Sequence, residues 1–224
     1  MQTLRVQGKV KNAMLTLVGP RNDPKLADKI DREQTMQPRG QLVVGTVGRE
    51  WYTGEIAWCP RVMMGGAERW IVGLDEVRVN GVVVFRKQLA LIDTGTAYIV
   101  TSDNVFQKVK AAIPGSEDVQ GKRGMFSFPE TSLRSMEFVF AGRSLELRKQ
   151  DFGLGGIVDP KTTRMVSSIV SLPGEGEAFA GLEQLWIIGG IFLDNVVTVF
   201  DYAEKKVGFA TIASETDVAV QAQL

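Results

Sequence analysis

No histidine and a single cysteine, Cys59, occur among the 224 residues of this chain. Without imidazole there is no Ser-His-Asp or Cys-His relay, and without several His or Cys side chains the usual zinc and transition-metal ligand sets cannot be assembled. One thiol cannot close an internal disulfide, so nothing covalent staples the fold. Charge of one sign is missing too: 26 Lys+Arg balance 26 Asp+Glu. A neutral chain lacks the excess of cations that phosphate backbones or anionic membranes select, so neither nucleic acid nor membrane is an expected partner. No apolar run reaches the ~20 residues a membrane-spanning helix needs. The opening MQTLRVQGKVKNAMLTLVGP is broken by Arg5, Lys9 and Lys11, and its apolar run at 13–18 is short of a signal peptide. The chemistry left at ordinary pH is that of carboxylates, with Lys and Tyr behind, and no cofactor or metal is expected.

What is present is glycine, 24 of them, spread between short apolar and β-branched runs. That pattern predicts an all-β fold, with strands over 42–46, 55–59, 70–72, 76–79, 82–85, 89–92, 136–140, 144–147, 196–200 and 206–210. Asn80-Gly81 sits between two of them and suits a type I′ hairpin turn, where both central residues need positive φ. Ala141-Gly142-Arg143 does a similar job before Ser144. Residues 102–113 predict a helix: Ser102 is a candidate N-cap, Val105, Phe106, Val109 and Ile113 fall at helical spacing, and Pro114-Gly115 stops it. The charged segment 22–40 reads as a surface excursion with at most one short helix, the end of the chain (212–224) as a loose tail, and 1–211 as one domain.

Two segments carry chemical interest. In LALIDTGTAYIV (89–100) an apolar strand runs into Asp93-Thr94-Gly95-Thr96 and out into a second apolar stretch. An isolated Asp-Thr-Gly is usually only a turn. Here the carboxylate lies between buried strands, where an ionised group needs hydrogen-bond donors, and the Thr hydroxyls and turn N–H groups are at hand. In LWIIGGIFLDNVVTVFDYAEKKVGFA (185–210) a buried strand meets a glycine pair, then a short turn or helix, then a hairpin turning at 202–205. A glycine beside a strand often marks close approach of another backbone.

Together these segments resemble the pepsin-like aspartic proteases. LIDTGTAYI is similar to the family's catalytic Asp-Thr-Gly loop, and WIIGGIFLDNVVTVFDYAEKKVGFA to its Trp-Ile-Leu-Gly-x-x-Phe-Leu segment and last hairpin. Residues 40–62, with Tyr52-Thr53-Gly54 and Pro60, and RWIVGLDEVRVNG (69–81) match the strands that come before the loop. The resemblance covers about residues 10–211 and every matched segment belongs to the C-terminal lobe of a two-lobed enzyme. It implies a single C-terminal lobe of antiparallel sheets with a psi-shaped catalytic loop and one or two short helices. Asp93 would be one of two catalytic aspartates, Gly95 would donate to its carboxylate, and Thr96 would contact carboxylate or substrate. Thr94 would brace the loop against its counterpart across the lobe interface. Ile187, Ile188 and Gly189 would pack beneath the loop, and Tyr98 and Ile191 are weaker candidates for substrate contact. The implied activity is aspartic-type endopeptidase, with a polypeptide substrate and a separate N-terminal lobe as the partner needed for activity, because only one Asp-(Thr/Ser)-Gly occurs in the chain. A chemically silent pseudoenzyme or peptide-binding lobe, and a homodimer bringing two Asp93 side chains together, are the alternatives. Family members are typically secreted or vacuolar. This chain departs from the pattern in three ways: the lobe's usual cysteine pair is missing near 125–129 and 165–170, Gly190 stands where an acidic residue is common, and the 22–40 excursion is long.

Overall fold

The computed structural model describes residues 1–19, 40–64, 68–154, 163–171 and 184–213. The strands are Met14–Val18 (β1), Gln41–Val44 (β2), Tyr52–Pro60 (β3), Ile71–Val79 (β4), Val82–Ile92 (β5), Ile99–Thr101 (β6), Glu117–Asp118 (β7) and Phe126–Pro129 (β8). They continue with Met136–Phe140 (β9), Arg143–Leu147 (β10), Gly153–Leu154 (β11), Arg164–Ser167 (β12), Ile169–Ser171 (β13), Leu185–Ile188 (β14), Val196–Asp201 (β15) and Lys206–Ile212 (β16). Among the described residues four short α-helices accompany them: Gln2–Val6 (α1), Asp103–Ala112 (α2), Lys149–Phe152 (α3) and Gly190–Leu193 (α4). The predicted all-β class is what the chain adopts.

The chain divides into two compact units. Met1–Trp58 with Leu193–Leu224 forms one, Cys59–Phe192 the other. In the first, five strands pair in the order β2-β1-β15-β16-β3. One face buries Val18, Val197, Val199 and Ala210 against Met14, Trp51, Ile56 and Trp58. The β15–β16 turn is held by Asp201, whose Oδ1 accepts from the N–H groups of Ala203 (2.9 Å) and Glu204 (3.0 Å). Ile212, read from sequence as the start of the tail, is the last residue of β16. The next residue, Ala213, is buried and its N–H donates to the Trp51 carbonyl.

The second unit holds a seven-stranded sheet, β10-β9-β4-β5-β14-β6-β13, and a four-stranded one, β11-β12-β8-β7. The segments 70–72 and 76–79 are not separate strands, as expected from sequence, but parts of β4, and 82–85 and 89–92 are parts of β5. Gly73 and Asp75 in β4, and Arg86 and Lys87 in β5, interrupt the apolar runs without ending the strands, because Asp75, Arg86 and Lys87 are exposed and a solvated face tolerates charge. Asn80 (φ 53°) and Gly81 (φ 79°) form the turn, with the positive φ at both positions that the sequence predicted. Asn80 also pins a neighbouring loop: its Oδ1 accepts from Arg134 N–H at 2.6 Å and its Nδ2 donates to the Ser132 carbonyl at 2.9 Å. Helix α2 is capped as predicted, with Ser102 Oγ accepting from Val105 N–H, and buries Val105, Phe106 and Val109.

Trp186 on β14 is fully buried and meets Phe85 and Phe138 edge to face at ring separations of 5.4 and 5.8 Å. Each such side chain contributes roughly 1.5 to 3 kcal/mol by burial. Where the family resemblance implies a cysteine pair, β8 and β12 lie side by side, with Met165 opposite Phe128 and Val166 opposite Ser127. A ladder of phenylalanine rings, Phe106–Phe126–Phe128–Phe152, packs there instead, each step between 5.3 and 6.1 Å. Of the predicted excursion, all but Gly40 lies outside the described residues, as does the tail beyond Ala213.

Candidate active site

Strand β5 delivers Asp93. It runs parallel to β14 (Leu91 opposite Ile187, Ile92 opposite Ile188), and β14 in turn runs antiparallel to β6. The chain thus leaves β5, turns through 93–98 and returns as β6 on the far side of β14, which is the psi shape implied by the resemblance. Asp93 N–H continues the ladder by donating to the Ile188 carbonyl at 3.0 Å.

The turn orients the carboxylate with its own atoms. Asp93 Oδ1 accepts from Gly95 N–H at 2.9 Å, and Oδ2 accepts from Thr96 Oγ at 2.7 Å. Thr96 N–H closes the turn on the Asp93 carbonyl at 3.3 Å. Two donors, one per oxygen, fix the plane of the group. Asp93 is half-buried, whereas Thr94, Gly95, Ala97 and Tyr98 are exposed.

The Ile187-Ile188-Gly189 element lies beside the loop, at the end of β14. Gly189 has no room for a side chain: a Cβ there would lie 2.3 Å from both the Thr96 and Tyr98 carbonyl oxygens. Because it has none, the next residues tie the loop from below, Gly190 N–H donating to the Thr96 carbonyl (2.7 Å) and Ile191 N–H to the Ala97 carbonyl (2.8 Å). Gly190 differs from its neighbour. A Cβ on it would meet nothing closer than 3.7 Å.

Of the residues singled out from sequence, Asp93, Gly95, Thr96, Ile187, Ile188, Gly189 and Ile191 thus meet in one hydrogen-bonded assembly. Thr94 is exposed, and Tyr98, 38% exposed, lies beside the assembly with its carbonyl oxygen against Gly189. Sequence reasoning gave Gly190 and Ala97 no place among the site residues, because their contribution is backbone hydrogen bonding that no side-chain pattern announces. It also passed over Leu91, whose position two before Asp93 was a usable signal, since alternate residues of a strand share a face.

Comparison with known proteins shows the family. A family model described as eukaryotic aspartyl protease matches residues 29–212. The chain is 28% identical over 228 residues to the aspartic-type endopeptidase ctsD of Aspergillus fumigatus, covering 99% of this chain and 43% of that protein. It is 29% identical over 177 residues to gastricsin of Cavia porcellus (78% and 42%), and 26% identical over 189 residues to cathepsin D of Gallus gallus (81% and 44%). The chain belongs to the eukaryotic aspartyl protease family. It spans less than half the length of each of these three relatives.

Proposed function

We propose that this chain is one lobe of an aspartic-type endopeptidase, supplying one of the two catalytic aspartates and working only with a second lobe. The observation that carries the reading is the Asp93 carboxylate, held by Gly95 N–H and Thr96 Oγ at the open end of the psi loop. A carboxylate so placed can take a proton from a water as that water attacks a peptide carbonyl, the role of general base. The attack needs a second, protonated carboxyl to polarise the carbonyl, and collapse of the tetrahedral intermediate needs a proton delivered to the departing nitrogen. Aspartic proteases are a stock example of two carboxyl groups sharing one proton, since two like charges so close cannot both ionise. Asp93 cannot be base and acid in the same step. The chain contains no other Asp-Thr-Gly or Asp-Ser-Gly.

In this reading Thr94 is exposed because its hydroxyl awaits the partner lobe, Thr96 orients the carboxylate, and Tyr98 and Ile191 border the substrate. The partner is a polypeptide carrying the second aspartate loop, and the substrate is a polypeptide chain. The test is reconstitution: the chain is co-expressed with the N-terminal half of a family member and assayed on a fluorogenic peptide at acidic pH. Turnover that appears only in the mixture and vanishes in Asp93→Asn supports the reading. A mixture in which the Asp93→Asn variant cleaves as fast as the unaltered chain refutes it.

A further inference from the structure

Strands β4 and β5 run antiparallel, and their pairing carries past the end of β4: Ile71 lies opposite Leu91, and Ile92 N–H donates to the Trp70 carbonyl at 2.9 Å. One more step along the same ladder brings Arg69 to the level of Asp93. Opposite residues of an antiparallel pair stand about 4.5 to 5.5 Å apart at Cα and project to the same face. Alternation agrees, since Asp93 follows Leu91 by two residues and Arg69 precedes Ile71 by two.

Arg69 is exposed and has no hydrogen-bond or ion-pair partner among the described residues. The carboxylate next to it in sequence and the one across the ladder are both engaged elsewhere. Glu68 pairs with Arg61 at 3.7 Å, and the Arg61 guanidinium lies over the Trp70 ring at 5.7 Å. Asp93 is held by Gly95 N–H and Thr96 Oγ. A planar fork of N–H donors is thus left open beside the site. The group complementary to it is a carboxylate, which accepts two parallel N–H···O bonds and cancels the charge.

We propose that Arg69 binds a carboxylate that a polypeptide lying over the site presents one or two residues from the bond at Asp93; the proposal rests on the endopeptidase reading for the identity of that ligand. The distance follows from the placement, because an extended peptide advances about 3.3 Å per residue and neighbouring strands lie about 4.8 Å apart. Two parts of a peptide carry the group. One is an Asp or Glu side chain, which makes Arg69 a determinant of specificity for acidic sequences. The other is a free C-terminus, which directs cleavage to the last residues of a chain. A Gln side chain or a C-terminal amide at the same place offers neither the charge nor the second acceptor oxygen.

The first test needs no turnover. The full chain, labelled with ¹⁵N at the arginine Nε, is titrated with two sets of peptides. In the capped set, Glu or Gln occupies in turn each of the two positions on either side of a central Leu-Leu bond. In the second set, an all-Gln peptide ends two residues after that bond as the free acid or as the amide. The Arg69 signal, assigned with Arg69→Lys, is expected to shift with a Glu peptide or with the free acid and not with the Gln or amide counterparts. Exposed Arg134, beside the turn at the other end of β4, should stay unmoved. A response to Glu alone assigns the site to acidic side chains, and a response to the free acid alone assigns it to chain ends. An Arg69 signal that never moves, or that moves equally with charged and neutral peptides, overturns the proposal. In the reconstituted enzyme, Arg69→Gln is expected to lower the charged-over-neutral ratio of kcat/KM about tenfold, the loss of one charge-assisted pair. Arg69→Glu should turn the preference to Lys at that position, and a ratio unchanged in both variants also overturns it. Shifts as expected in a mixture that never cleaves peptide would leave the carboxylate site standing and remove only the endopeptidase reading.

Discussion

Replacing Gly189 with alanine puts a methyl group where two backbone oxygens already are. The new Cβ would sit 2.3 Å from the carbonyl oxygens of Thr96 and Tyr98 and 2.8 Å from the Thr96 carbonyl carbon. Ordinary carbon–oxygen contact requires about 1 Å more, and neither obstacle is a side chain that can swing away. Relief has to come from prising β14 and the 93–98 loop apart, which loosens the Gly190-to-Thr96 and Ile191-to-Ala97 hydrogen bonds. Overpacking of this kind costs typically 1 to 3 kcal/mol, and two immovable oxygens put Gly189→Ala at about 3. For a chain of this size that corresponds to a fall in Tm of roughly 6 to 12 °C. Gly190→Ala is the internal control, since its Cβ meets nothing nearer than 3.7 Å; its stability should stay within about 0.5 kcal/mol of the parent. Calorimetry on the three proteins decides the matter. Equal Tm values for Gly189→Ala and Gly190→Ala would refute the claim that β14 closes on the loop through Gly189.

Ala141 holds a left-handed conformation (φ 46°) in the β9–β10 turn. Ala141→Gly should therefore raise stability by about 0.5 to 1 kcal/mol, the left-handed penalty less the entropy of the added glycine, seen as a higher urea midpoint at unchanged m. Asn80→Ala removes the side chain that bonds Ser132 and Arg134 and leaves alanine at φ 53°, so a loss of about 2 kcal/mol is expected by the same assay. Burial, with a smaller push from the charge of Asp75, raises the Cys59 thiol from 9.0 to about 12. The folded chain should accordingly resist alkylation by iodoacetamide at pH 8 and react once unfolded; rapid labelling of the native chain would contradict this. Because the folded-state value is the raised one, the thiol's contribution to stability is complete below pH 9 and is lost as pH climbs toward 12, measurable as a falling urea midpoint over that interval.

Much of the site was legible because its residues act through features that sequence displays. Asp93-Thr94-Gly95-Thr96 between apolar strands announced a carboxylate needing donors, and Gly95 N–H and Thr96 Oγ are those donors. The glycine pair after Ile188 announced a close backbone approach, though only Gly189 requires it. Asn80-Gly81 and the Ser102-capped helix were readable from local turn and cap chemistry. Less legible were elements fixed by distant pairing. Met14–Val18 has no clean alternation, yet it is a strand because β2 and β15 flank it on both sides. Phe126–Pro129 and Arg164–Ser167 are short and separated by more than thirty residues, yet they pair with each other in the centre of the four-stranded sheet. β5 could not be read as one strand since Lys87, at φ 53°, interrupts its local pattern while its partners in β4 hold the register.

The central claim is that Asp93 is half of a catalytic pair. Its most direct test is peptide cleavage by the purified chain alone, followed by mass spectrometry under acidic conditions in a sample that sedimentation shows to be monomeric. No cleavage above that of an Asp93→Asn control is the predicted outcome. Cleavage by the monomer that the Asp93→Asn substitution abolishes would contradict it, for then one carboxylate would be serving as both base and acid.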